Sequence, residues 1–462
     1  MRNHLQMERR RGLGMLAWAA VLALGLGCSN LDEPFDNATS TGTVTGAPNI
    51  ADIKALAQGL MFGTRTEMPN YIFMMGTLGR EGYCLCNNEP RFISELLIGP
   101  IDGGSIGADI FLWRNPYKNI RGANLLLAAI DKVAELTDEQ KSATRGFAET
   151  IQARDFINLL DARDSSGIPM DVSADPSAPP GPILTLPQAL DSIGKLLDDA
   201  NTKLQAGGDA FPFVLTTGFA GFSSPATFAQ VNRALRARVA IYQKDYTTAL
   251  TALSGSFIDT DASLGLGAYD VFTTNPGDAL NGLFDPSGTS YYAHPSFVTD
   301  AQLKSGGAVD DRVTRKVRTI ASKTLLGVTS NLLITVYNSP TAPIPIIRNA
   351  ELILLRAEAN IGLGHNPEAI ADINVVRTED GGLAPLSSSF SGNLLDALLY
   401  EKRYTLFWEG GFRWIDMRLY NKLGELPKDL PTHKIISRFP LPQAECLPRN
   451  PTPAGCTPVF GQ

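Results

Sequence analysis

The sequence is poor in the residues that usually do chemistry. Four histidines, four tryptophans and five cysteines occur in 462 residues. No glycine-rich phosphate loop, G-x-G-x-x-G, G-x-S-x-G or H-E-x-x-H is present, which removes the nucleotide-binding, serine-hydrolase and zinc-protease classes that those spacings build. Beyond the amino-terminal segment only His294, His365 and His433 remain, scattered over loops and one helix turn. A histidine metal site would need them to converge over long range, so each is expected as a lone surface side chain. Excess positive charge is also missing: the formal net charge is −7, which argues against nucleic acid as a partner. Long apolar runs are confined to one, Leu13 to Leu26, shorter than the ~20 residues that cross a bilayer.

That run defines the amino terminus. Arg2 and Arg9 to Arg11 precede it and Gly27-Cys28 follows directly, the pattern of an export signal ending at a cysteine that takes lipid. Residues 1–27 are read as the signal and Cys28 as the lipidated residue; the plainer alternative is a secretory signal with Cys28 left in a tail. Gly25 stands where leucine is usual, with Leu24 and Leu26 on either side. Removing residues 1–27 deletes four arginines and Glu8, a net +3, and takes the formal charge from −7 to −10. Cys28 accounts for the odd cysteine, leaving Cys84, Cys86, Cys446 and Cys456 in an oxidising compartment. Cys446 and Cys456 are expected to bridge across a Pro-rich loop. Cys84 and Cys86 are too close for easy geometry, and their state stays open. Four thiolates without a C-x-x-C spacing do not favour zinc, and neither a metal nor a cofactor is expected.

Residues 28–48 are small and polar and read as a tether. From Ile50 to about Thr64, Ile53, Leu56, Ala57 and Leu60 form one helical stripe. Glu67 to Gly107 reads as irregular. Trp113 to Val133 and Asp138 to Leu160 form a helical pair, the second opened by a Thr137/Gln140 capping box. Leu186 to Gln205 and Thr227 to Leu253 repeat the plan, with Ala234, Ala237 and Ala240 allowing close helix approach. Ile347 to Thr378 repeats it again, with Gly364 as helix stop, Asn366 as N-cap and Pro367 as the first helical residue. Gly255 to Ser339 reads as loop. The spans lie near the ~34-residue tetratricopeptide period. The fold class is therefore mainly α: degenerate helical-pair repeats with long insertions. About 430 residues exceed one ordinary core, and the division expected is 49–260 and 261–462.

Tyr400 to Pro442 is the most specific stretch. A helix through Leu394, Leu395, Leu398 and Leu399 runs to Trp408, Gly410 and Gly411 stop it, and a short helix from Phe412 to Tyr420 sets Trp414 among Arg413, Asp416 and Arg418. Glu409 and Asp416 were weighed as an acid/base pair, but Arg403, Arg413 and Arg418 hold neighbouring carboxyls ionised rather than raising them. Glu409, Arg413, Asp416 and Arg418 are instead read as a structural charge network, with Glu409 and Arg413 pairing if the turn between them is helical. Glu401, Arg403, Trp408, Glu409, Gly410, Arg413, Trp414, Asp416 and Arg418, followed by Phe439-Pro440-Leu441-Pro442, Glu445 and Asn450-Pro451, resemble the C-terminal signature of the SusD/RagB family of surface lipoproteins. Lys402 between Glu401 and Arg403, and a second glycine before Arg413, depart from it. Asp310-Asp311-Arg312 matches the family's Asp-Pro-Arg, with Asp311 for proline, and reads as a helix-flanking salt bridge.

The resemblance implies a SusD-like α-helical fold and a non-enzymatic, lipid-anchored glycan-binding protein facing outward from the outer membrane. It also implies a SusC-like TonB-dependent transporter as partner and an oligosaccharide or other nutrient as ligand. Two other readings were kept: a lipid-anchored helical scaffold that binds protein or peptide, and a surface glycoside hydrolase, which would need two carboxylates at a set separation in a cleft. Sugar sites combine an exposed aromatic platform with paired hydrogen-bonding groups on loops. Two insertions qualify: Tyr71, Tyr83, Asn87, Asn88, Arg91 and Phe92 in the first, and Tyr291, Tyr292 and His294 in the second. Trp113, Trp408 and Trp414 lie on helices and are expected in the core.

Overall fold

A computed structural model describes residues 46–173 and 178–462; the signal segment, Cys28 and most of the tether lie outside the described residues. Helix α1 (Ile50–Gly63) begins at Asn49, whose side chain accepts from the Ala51 and Asp52 amides while the Asp52 carboxylate accepts from the Asn49 amide. That capping box satisfies donors the first turn would leave open. Helix α2 (Met68–Leu78) lies inside the segment expected to be irregular. Its sequence, MPNYIFMMGTL, has no polar stripe and hence no visible period, and it is buried continuously from Tyr71 to Leu78. A helix that is apolar all round is stable only within a core.

The expected helical pairs follow. α3 (Asn115–Ile130) packs on α1 and on α4 (Asp138–Arg163), and α4 opens with the Thr137/Gln140 capping box, both of whose bonds are 3.2 Å. α5 (Leu186–Gln205), α6 (Pro225–Gln243) and α7 (Tyr246–Ser254) each pack on the helix before, with Ala234, Ala237 and Ala240 fully buried. After the short α8 (Asp311–Lys316) come α9 (Asn349–Leu363), α10 (Asn366–Glu379), α11 (Leu394–Thr405) and α12 (Phe412–Leu419). Gly364 ends α9 in the left-handed region at φ 77°, as expected, but α10 starts one residue early, with His365 at the N-cap position. α7 packs on α9, α9 on α10 and α11, α11 on α12, and α12 on α2, so the series of helices closes on the buried α2.

Gly255 to Ser339, expected as loop, holds four of the eight strands among the described residues. β1 (Gly82–Cys84), β5 (Tyr291–Ala293), β7 (Val328–Ile334) and β6 (Val317–Leu325) form an antiparallel sheet in the order β1-β5-β7-β6. β4 (Gly267–Asp270) pairs with β8 (Ile344–Arg348), and β2 (Ile168–Pro169) with β3 (Ile183–Leu184). Six of these strands have five residues or fewer, too brief for alternation to be read, and β6, the longest at nine, is exposed along most of its length and shows no clean alternation. One core follows the helices from α1 to α9. A second surrounds α2 and draws on Leu96, Phe297, Trp408, Trp414 and Phe439, from both sides of residue 260.

Trp408 and Trp414 are fully buried against α2, and Trp113 is 6 % exposed, as expected of core tryptophans. Gly76 and Gly79 let them in: a Cβ on Gly76 would lie 2.7 Å from the Trp408 ring, and one on Gly79 2.9 Å from the Trp414 amide. The second glycine of the Gly410-Gly411 pair has its own reason. Gly411 sits at φ 67°, and a Cβ there would lie 2.2 Å from the Met75 Cβ. Only glycine meets both demands.

Candidate functional site

The two sequence insertions converge. β1 and β5 pair in the register Gly82↔Ala293, Tyr83↔Tyr292, Cys84↔Tyr291. Beneath them Phe73 of α2 meets Phe92 edge-on at 4.6 Å between ring centroids and Tyr291 at 5.9 Å. Phe92 and Tyr291 are half-buried, each with one face on the core. Cys84 and Cys86 are bonded to each other, with Cα atoms 5.1 Å apart, at the point where the chain leaves β1.

A third segment joins from the carboxyl terminus. The Ile101 and Val459 backbones exchange hydrogen bonds of 2.9 and 2.7 Å, and the Gln443 amide donates to the Gly103 carbonyl at 3.0 Å. The Cys446–Cys456 disulfide, expected from the sequence, closes the same segment, with Cα atoms 5.9 Å apart. Together these segments bound an open cleft of about 580 Å³, lined by Arg91 and Phe92, by Ile106 and Phe111, and by Gln443 and Leu447. Leu447 is 75 % exposed and Ile110, at the same cleft, 51 %. Exposed aliphatic side chains grouped beside half-buried aromatics mark a contact surface.

Arg91 and Phe92 are thus the expected site residues that line this cleft, and Tyr291 shares the Phe73 support. Asn87 and Asn88 are exposed on the turn after Cys86 but do not line it. Four of the expected platform residues are internal, which corrects the reading from sequence. Tyr71 is 5 % exposed, with its hydroxyl 3.2 Å from Asp161. Tyr83 is fully buried and donates to Asp429 at 2.6 Å. Tyr292 and His294 are buried as well. Tyr71 lies on the buried α2, β1 is buried along its whole length, and Tyr292 to His294 are covered where β5 sits between β1 and β7, a burial invisible until the pairing is known. Ile106, Ile110, Phe111, Gln443 and Leu447 carried no signal in the sequence; an apolar side chain becomes notable only when the fold leaves it outside.

His294 and His433, expected on the surface, are buried and share one carboxylate. His294 Nε2 lies 3.0 Å from Asp429 Oδ1, and His433 Nδ1 3.4 Å from Asp429 Oδ2. Burial opposes ionisation of Asp429, but hydrogen bonds from His294 and Tyr83 hold it down to about 2. Burial lowers the His433 pKa against the pull of Asp429. The cluster ties β1 and β5 to the loop after α12.

The four residues of the expected charge network are buried or half-buried, yet they pair with distant groups rather than with one another. Glu409 accepts from Arg348 Nε at 2.8 Å and Nη2 at 3.0 Å. Asp416 faces Lys402, which also donates to Glu358 at 2.9 Å. Arg418 meets Asp164 at 3.0 Å and the Asp161 and Ser437 carbonyls. Arg413 has no carboxylate partner: its Nη1 donates to the Arg80 carbonyl at 2.9 Å, and burial lowers its pKa to about 9. The expected Glu409–Arg413 pair is absent because Trp408 at φ 63° and Gly411 at φ 67° break the helix between them. Burial raises Asp416 to about 7 against Lys402, with Glu358 competing for the same ammonium. Neither Glu409 nor Asp416 lines the cleft.

The SusD family model matches residues 327–427. Over that span the chain is similar to the SusD family. The match takes in β7, β8 and α9 to α12 and ends before the Phe439-Pro440-Leu441-Pro442 run. The SusD-like fold extends over nearly the whole chain. A SusD superfamily protein from Bacteroides vulgatus superposes with a TM-score of 0.65 at 14 % identity, covering 89 % of this chain and 99 % of that one. NanU of B. fragilis does so with a TM-score of 0.64 at 16 % identity, covering 92 % and 99 %. Surface glycan-binding protein A from Bacteroides thetaiotaomicron, in complex with laminarihexaose, gives 0.64 at 14 % identity, covering 89 % and 100 %. No curated sequence matches this SusD-like chain.

Proposed function

We propose that this protein binds oligosaccharides at the cell surface, is held on the outer membrane by lipid on Cys28, and passes its ligand to a SusC-like TonB-dependent transporter. The observation that carries the binding reading is the convergence of three remote segments on one cleft of about 580 Å³ that is both apolar and rich in exposed backbone. That size suits a ligand of several rings. Phe92, Phe111 and Leu447 offer faces to sugar C–H groups, while the exposed Gln443 side-chain amide offers hydrogen bonds. A SusD-like relative in fold holds laminarihexaose, which supports a glycan as ligand. Transporter and anchor rest on the family and on the sequence of the first 28 residues.

The test is calorimetric titration with laminarihexaose, cellohexaose, maltohexaose and mannohexaose, with an unfolded polypeptide in parallel, because the aliphatic Ile106, Ile110 and Leu447 also suit a peptide. Leu447→Ala is expected to weaken the hexasaccharide that binds by about 5-fold, roughly 1 kcal/mol of lost apolar contact. Its melting temperature should hold, since the side chain is exposed. Binding of the polypeptide alone would move the assignment to the peptide reading.

For the anchor, Cys28→Ala is expected to release the protein from the membrane fraction and to abolish labelling by a palmitate analogue. No helix among the described residues is long and apolar enough to cross a membrane. An unlabelled wild type would remove the anchor from the proposal.

A further inference from the structure

We infer that the cleft selects uncharged ligands and that Glu89 enforces the selection; this rests on the oligosaccharide reading above. Among the described residues Arg91 is the only cation that lines the cleft, and it is already taken. Glu89 Oε1 accepts from Arg91 Nε at 2.7 Å and Glu89 Oε2 from Arg91 Nη2 at 2.6 Å, so one carboxylate occupies the guanidinium fork side-on. Pro90 between them, followed by a short helical turn, keeps the two side chains together: the Arg91 amide also lies 3.4 Å from Glu89 Oε1. The fork is the group an anionic sugar would need, because a uronate or sulfate is recognised by the same two-point geometry.

The rest of the lining offers an anion no free cation. Asp109 is the other charged group in the cleft, and it is paired with Arg114, which lies outside the lining. With Arg91 held by Glu89 and Arg114 held by Asp109, each guanidinium beside the cleft already has its carboxylate, on a chain whose formal net charge is −7. A carboxylated chain would have to displace Glu89 and lie beside Asp109. The apolar remainder, Phe92, Ile106, Ile110, Phe111 and Leu447, meets the C–H faces of neutral pyranose rings without desolvating an ion. Neutral hexose chains are the class that satisfies both conditions.

The experiment measures affinity of the purified protein for the four neutral hexasaccharides and for hexagalacturonate at about 50 mM and 150 mM salt. At least one neutral hexamer is expected to bind ten-fold or more tightly than hexagalacturonate. Glu89→Gln and, independently, Asp109→Asn are each expected to strengthen hexagalacturonate binding at least 3-fold, more at low salt. Hexagalacturonate binding the wild type as tightly as the best neutral hexamer, or unmoved by both variants, overturns the inference and leaves the oligosaccharide reading intact. If neither kind of hexamer binds any form of the protein, the inference and the reading beneath it both fall.

Discussion

Replacing Arg312 with alanine is expected to cost on the order of 3–5 kcal/mol, most of the 5–15 kcal/mol that holds an ordinary domain together at the lower end of that range. The guanidinium is fully buried and each of its three nitrogens donates. Nε and Nη2 donate to Asp310 at 2.9 and 2.5 Å, and Nη1 donates to Glu401 at 2.5 Å and to the Thr405 hydroxyl at 2.9 Å. Its carbon lies 5.6 Å from the centroids of both the Tyr400 and Tyr404 rings, which pack on each other. Burial works against the charge, but Asp310 and Glu401 more than offset it and hold the Arg312 pKa above its ordinary value.

Without Arg312, Asp310 and Glu401 remain inside, both fully buried, and Glu401 keeps only Arg377 at 2.9 Å. The loss exceeds one hydrogen bond because two anions stay desolvated with too little positive charge. Arg312→Lys should recover only part of it, since an ammonium cannot serve two carboxylates and a hydroxyl in one plane. Urea denaturation measures this. A change below about 1 kcal/mol for Arg312→Ala would show that the network adds nothing to the fold.

The second large effect is on pH. Glu81 is buried between α2 and the Trp408 ring, and burial lifts its pKa to about 8, with Arg413 and Lys316 pulling back. Burial likewise lifts Asp161 to about 7, Asp416 to about 7 and Asp155 to about 6. A carboxyl whose native pKa lies above its unfolded value binds its proton more tightly when folded. Its contribution is complete below the unfolded pKa and is lost as pH rises through the native one. Stability should therefore fall from about pH 4.5 to about pH 8, with Glu81 accounting for up to roughly 4–5 kcal/mol over that whole span, its shift converted at ~1.4 kcal/mol per unit.

His433 works the other way: burial lowers its pKa, so it costs stability as pH drops below about 6.5, but one group is outweighed by the four raised carboxyls. Melting temperatures at pH 5, 6, 7.5 and 9 should fall steadily from the first to the last. Glu81→Gln, a neutral isostere, should flatten the decline above pH 7, and a wild-type melting temperature that rises from pH 6 to 9 would contradict the assignment.

Much of the fold is local in origin and was legible. The Thr137/Gln140 capping box, the Gly364 stop, the small-residue stripe of α6 and the amphipathic helices all rest on residues three or four apart. A helix writes its burial into that spacing. α2 is not legible because a helix surrounded by protein has no polar face and leaves no period; most strands are too short to show one, and the nine-residue β6 is largely exposed.

The site was partly legible for the same reason. Composition singled out both insertions, and Arg91 and Phe92 do line the cleft. But Tyr83 and Tyr292 turn inward because β1 pairs with a strand more than two hundred residues away. Charge partners followed the same rule: the sequence showed that Glu409, Arg413, Asp416 and Arg418 belong to structure, and only the fold chose Arg348, Lys402 and Asp164 as the partners of three of them, leaving Arg413 to a backbone carbonyl. The sequence by itself determined most of the helical segments, where several of them stop, and the resemblance of the Tyr400–Pro442 stretch to the SusD/RagB signature. Tertiary structure decided which aromatics are exposed and which charges meet, because both depend on neighbours brought together by closing long loops, and no local spacing encodes those.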